Sequence, residues 1–141
     1  MFRCLFLYGC RPHEVYGADC DGELFLEISQ GKTGPRTSIP VPTHQAFVSS
    51  WGMVGNQMPP TIARKSKNPP LAVQLELNRQ LNLLGVEWDA YCFRHAWAHR
   101  AIREGVPIKK AALSLGNSQA VFESVYARWL AKEALREVLA S

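Results

Sequence analysis

Four side chains of types able to work on an anionic substrate are scattered along this chain: Arg11, Lys32, Arg94 and Tyr126. A guanidinium holds oxyanions through planar, charge-assisted hydrogen bonds. A lysine ammonium can protonate a departing oxygen, and a tyrosine hydroxyl can attack and leave a covalent ester. Residue type alone does not decide for that chemistry. Arg11 and Glu14 have the spacing of an ordinary surface pair, and Lys32 that of a solvated loop lysine. Tyr126 falls on an apolar stripe, where most tyrosines simply pack. His95 and His99 stand four apart on one helix, the spacing of a metal pair. The run HAWAH lacks the acid of an H-E-x-x-H site and no third ligand is evident, so no metal is expected.

The stretch 91–126 must position the last two of these groups, and its pattern predicts three helices. The first carries Arg94, His95 and His99 and stops at Gly105, a residue able to take the left-handed conformation that ends helices. The second follows Pro107, with Ile108, Ala111, Ala112 and Leu115 on one apolar stripe, and closes at Gly116. Asn117 and Ser118 read as a capping turn, after which Phe122, Val125, Tyr126 and Trp129 repeat the stripe.

Earlier in the chain, Phe2, Leu5 and Phe6 predict a short helix ended by Gly9, and Arg11-Pro12 opens a new turn. Asp21-Gly22 is a turn signal, with strands expected over Leu24 to Ser29 and Thr37 to Val41 and Lys32 near the tip between them. A short helix around Phe47 to Trp51 leads into a proline-rich basic loop holding Arg64, Lys65 and Lys67, and Leu71 to Leu84 forms an amphipathic helix ended by Gly85. Beyond Tyr126, Ala131, Ala134, Leu135 and Val138 line one face of a further helix.

Taken in order, four motifs resemble the catalytic domain of tyrosine recombinases, the phage integrase family. LYGCRPHEV (7–15) looks like the family's L-x-G-x-R-x-x-E box and QGKTGPRTSIPVP (30–42) like its lysine hairpin. R-H-A at Arg94 and L-G-N-S at 115–118, followed by Tyr126, look like its C-terminal signature. The resemblance spans nearly the whole chain. It implies an α+β, mostly helical fold in which a small antiparallel sheet, with a hairpin around residues 24–41, packs on a helical bundle, residues 1–141 forming one catalytic domain. It implies strand breakage and rejoining, site-specific recombination or DNA integration, through a 3′-phosphotyrosine. Arg11 and Arg94 would clamp the phosphate and Tyr126 would attack. Lys32 would act as general acid, Glu14 as a buried partner of the first box, and His95 would support Arg94. The implied DNA contacts are Arg11, Lys32, Arg36, Arg64, Lys65 and Arg94. The partners would be double-stranded DNA and a second copy docked through the C-terminal helix.

Three departures qualify the resemblance. Tyr91 stands where the family places His or Lys, and Asn117 where it places His or Trp. Both are assigned to the catalytic set as neutral hydrogen-bonding groups. Only ten residues precede Arg11, so the expectation is a catalytic domain without the separate DNA-clamping domain and shortened at its start. Reduced activity is therefore expected. The rival readings are a recombinase-like module that binds DNA without cutting it and a type IB topoisomerase.

Composition sets the outer bounds. A length of 141 residues is one domain's worth, and a net charge of +4 suits a partner bearing phosphates without requiring one. Cys4, Cys10, Cys20 and Cys92 form no C-x-x-C pair and read as reduced packing thiols. With no long apolar run, the chain is expected to be soluble and cytoplasmic, without a membrane partner and without a cofactor.

Overall fold

The computed structural model describes residues 1–29, 31–58 and 66–140. Helix α1 (Phe2–Tyr8) ends at Gly9, whose φ of 62° is the left-handed value. A Cβ at Gly9 would also lie 2.7 Å from Trp97 Cβ, so this close approach of α1 to a later helix depends on glycine. A 3-10 turn, Pro12–Gly17, follows and leads into β1 (Ala18–Asp21). Asp21 makes the next turn with one carboxylate oxygen, which accepts from the backbone N–H groups of Glu23, Leu24 and Phe25, each at 2.9 Å.

Strands β2 (Leu26–Ile28), β3 (Arg36–Ser38) and β4 (Val54–Asn56) complete an antiparallel sheet of order β3-β2-β1-β4. The strands are shorter than the sequence suggests, because Pro40 and Pro42 cannot donate to a ladder and Ile39 gives its N–H to Ser114 Oγ instead (3.0 Å). Two of the four strands were not expected. Asp19 pairs with Asn56 and Cys20 with Gly55, so 54–56, read from sequence as the lead-in to a loop, is an edge strand. Between β3 and β4 lies α2 (Gln45–Ser50).

Four helices make up the rest: α3 (Pro69–Leu83), α4 (Cys92–Arg103), α5 (Ile108–Leu115) and α6 (Gln119–Ala140). Asn68 caps α3 and Ser118 caps α6 through side-chain acceptors for Leu71 and Val121 N–H. Helix α6 is a single 22-residue element, where the sequence suggested a nucleophile helix and then a separate one. Nothing between Tyr126 and Trp129 can break it, and Ala, Leu, Lys and Glu, which favour helices, carry it on. Its stripe is narrower than expected. Phe122 and Tyr126 are buried, but Val125 is exposed, as are Leu135 and Leu139 near the end.

Two apolar clusters result. One joins α1, the sheet and α3 around Leu5, Leu7, Leu26, Ile28 and Leu77. The other joins α4, α5 and α6 around Trp97, Leu115, Phe122 and Tyr126. No helix among the described residues is long and apolar enough to cross a membrane.

Candidate active site

The candidate residues meet where these two clusters abut. Arg94, on the buried face of α4, is 2% exposed. It donates from Nη1 to the Gly9 carbonyl (3.1 Å), and from Nη2 to the Leu115 carbonyl (2.6 Å) and to Asn117 Oδ1 (3.2 Å). Both carbonyls are left over at helix ends, so the C-termini of α1 and α5 are both tied to this guanidinium. Arg11 comes from the other side and donates from Nη2 to the same Asn117 oxygen (3.4 Å), across 106 residues of sequence. Asn117 thus bridges two cations, while Ser118 alone does the capping. Arg11 Nη1 is buried without a hydrogen-bond partner, Glu14 Oε2 lying 3.7 Å away.

Glu14 is fully buried, as expected, but its main partner is one the sequence did not suggest. Arg36 reaches it with both terminal nitrogens, Nη2 to Oε1 at 2.9 Å and Nη1 to Oε2, and donates from Nε to the Ser114 carbonyl (3.1 Å). Glu14 also accepts the Arg11 backbone N–H at 2.6 Å. Burial alone pushes the Glu14 carboxyl up, but the hydrogen bonds and charge of Arg36 and Arg11 outweigh it and hold the group below its ordinary value. Arg36, assigned to DNA from sequence, has a side chain only 8% exposed and engaged on both edges, so it braces the first box. The reason is local. Gly116 (φ 73°) leaves room for its guanidinium, and a Cβ there would sit 2.8 Å from Nε.

Tyr126 enters from α6, 3% exposed, and its hydroxyl lies 3.1 Å from His95 Nδ1. Burial pushes the phenol up, Arg94 and Arg11 pull it down, and Tyr91 adds to the rise; the net direction is upward. His95 was expected to pack beneath Arg94. It is instead exposed and hydrogen-bonds the Tyr126 hydroxyl, because consecutive residues of a helix point about 100° apart and Arg94 takes the buried direction. Tyr91, exposed just before α4, meets the His95 ring edge-on at 5.4 Å.

Lys32 has no hydrogen bond or ion pair among the described residues and is exposed between β2 and β3. Its neighbour Gly31 approaches the site closely, since a Cβ there would be 3.3 Å from Arg36 Nη1. The hairpin root is therefore fixed at Arg36 while the amine extends into solvent. Arg64 and Lys65 lie outside the described residues.

The site accordingly unites Arg11, Tyr91, Arg94, Asn117 and Tyr126, adds His95, and leaves Lys32 alongside. Arg36 and Arg11 hold the Glu14 carboxylate while Arg11 and Arg94 share the Asn117 oxygen, an arrangement that can receive an anion and set a phenol beside it.

Comparisons with known proteins agree with this fold. XerA recombinase, known from a crystal structure, matches with a TM-score of 0.60 at 16% identity, over 85% of this chain and 49% of its own. Excisase A of Nostoc sp. (strain PCC 7120 / SAG 25.82 / UTEX 2576) is 27% identical over 144 residues, 91% of this chain and 30% of the relative. Excisase C of the same organism is 33% identical over 121 residues, 77% and 23% respectively. The chain therefore spans less than a third of the length of these curated relatives. No protein-family model matches it. Together the likenesses support a recombinase-family assignment, and the α+β architecture with a small antiparallel sheet matches part of the XerA recombinase fold.

Proposed function

We propose that this chain is the strand-transfer portion of a site-specific DNA recombinase acting through a covalent 3′-phosphotyrosine at Tyr126. The observation that carries the reading is the pair Arg11 and Arg94. The two guanidiniums converge on one amide oxygen, and the nearest carboxylate, Glu14, is already held by Arg36. A phosphodiester oxygen would satisfy the unpartnered Arg11 Nη1 and gain as charge builds at phosphorus. Tyr126 then attacks in line, its Oη–P bond forms and the P–O5′ bond breaks. Lys32 supplies a proton to the leaving oxygen from the hairpin arm. The name excisase, carried by both Nostoc relatives, favours excision as the direction of exchange over integration.

The exposed second half of α6 is proposed to dock on a second copy bound to DNA, with Leu135 and Leu139 as the apolar contacts. Trp129 and Leu130 pack on the chain's own core, so the informative truncation falls after Leu130. It should preserve the fold and reduce self-association on DNA; unfolding on truncation would show that the helix packs within its own chain.

The primary test traps covalent adducts on a pool of nicked duplexes of randomised sequence. Wild type should form a protease-sensitive adduct. Tyr126→Phe should form none while its DNA affinity stays within about twofold, because phosphate contacts dominate binding. DNA bound by both proteins with no adduct from either would leave a binding module in place of an enzyme.

A further inference from the structure

We infer that His95 is a catalytic residue of this site, taking the proton from the Tyr126 hydroxyl through Nδ1 as the phenol attacks phosphorus. The inference rests on the phosphotyrosine reading above and assigns a role that reading leaves open. A buried phenol is a weak nucleophile until it loses its proton, and the resemblance gives that proton no acceptor here, because Tyr91 and Asn117 are neutral groups that do not act as bases near neutrality.

His95 is the one group hydrogen-bonded to the Tyr126 hydroxyl among the described residues, at 3.1 Å. The imidazole is held between two aromatic rings, Tyr91 edge-on at 5.4 Å and Tyr126 at 5.7 Å and 69°. Its outer side is exposed, so the imidazolium formed in the step is hydrated and can exchange its proton with solvent. Burial raises the Tyr126 phenol despite Arg94 and Arg11, which makes a partner base more useful than it would be for an exposed tyrosine. The titratable groups facing His95 are Tyr91 just before α4, His99 in α4 and Tyr126 in α6, and the charges of Arg94 and Arg11 act on the phenol.

The step balances without a co-reactant. The Tyr126 O–H bond breaks and its proton moves to His95 Nδ1, with Nε2 carrying the proton of the neutral ring. The Oη–P bond forms, and the P–O5′ pair leaves on the 5′ oxygen, which is protonated by the Lys32 ammonium. In the reverse direction a 5′ hydroxyl gives its proton to the Lys32 amine and attacks phosphorus, the Oη–P bond breaks, and His95 returns its proton to Oη.

Two measurements on the full chain test the role. Nitrogen NMR of histidine-labelled protein should show neutral His95 protonated at Nε2, with Nδ1 as acceptor, and Tyr126→Phe should remove that tautomer bias. Adduct formation on the randomised nicked pool should be slower in acid, because only the neutral ring of His95 accepts a proton. His95→Gln should lose this acid limb and fall by about 10²- to 10⁴-fold on the plateau. His95→Ala should be rescued by added imidazole in proportion to its free base. An adduct whose rate and pH profile are unmoved by His95→Gln, or a His95 ring protonated at Nδ1, would overturn this inference alone. Absence of any adduct from wild type would overturn the phosphotyrosine reading and this role with it.

Discussion

Arg36 and Arg94 are both buried arginines near the same carboxylate, yet their charges are treated differently. Arg36 is neutralised by Glu14 through a two-pronged contact and is closed to solvent. Arg94 is bonded to two backbone carbonyls and an amide, which satisfy its N–H groups but leave its charge in place. Burial and the neighbouring Arg11 both act to lower the Arg94 pKa, yet a guanidinium stays protonated in proteins. One arginine therefore completes the fold, and the other is kept as positive potential facing Arg11, Asn117 and Tyr126. The difference separates an arginine that braces the fold from one whose charge is left uncompensated, in a cluster that composition would treat as uniform.

The largest expected effect in breaking this contrast falls on the neutralised pair. Glu14→Gln leaves Arg36 buried beside a neutral amide and should cost roughly 3–5 kcal/mol of stability in urea unfolding. The acid limb of wild-type stability should follow the same group. Its folded pKa is depressed, so its contribution is whole above the ordinary carboxylate value, about 4.3, and is lost as pH falls through the lower folded value. Glu14→Gln should flatten that limb. At the uncompensated arginine, Arg94→Lys keeps the charge but loses the fork, and adduct formation should fall by about 10²- to 10³-fold, or roughly 2.7–4 kcal/mol. Equal losses of stability and rate in both variants would erase the distinction.

Asn117→Ala removes the acceptor shared by Arg11 and Arg94. A hydrogen bond to a charged group is worth about 1.5–3 kcal/mol, so adduct formation should slow by about ten- to a hundredfold if both guanidiniums lose their alignment. Tyr91→His should have the smallest effect, a rise of up to about tenfold, because it adds a donor that can carry charge beside the site. A fall on Tyr91→His would mean that the tyrosine orients His95 rather than substitutes for a missing histidine.

Helix boundaries were legible in the sequence because Gly9, Gly105 and Gly116 each end an apolar stripe, and all three adopt positive φ. The convergence of Arg11, Arg94 and Tyr126 was accessible only through motif order, since no local pattern relates residues on separate elements so far apart in the chain. Strand β4 was hidden because three residues with a central glycine carry no alternation to read. Arg36 and His95 were misjudged for a shared reason. The direction of a side chain depends on what packs behind it, and the space left by Gly116 and the position of the Tyr126 hydroxyl are tertiary facts.

The central claim is that Tyr126 becomes covalently joined to DNA, and the most direct measurement is mass spectrometry of tryptic peptides from adducts formed on nicked duplexes and digested with nuclease. A nucleotide is expected on the peptide containing Tyr126, attached through its 3′ phosphate, and should be lost in Tyr126→Phe. A nucleotide on Tyr91, or adducts that persist in Tyr126→Phe, would contradict the claim.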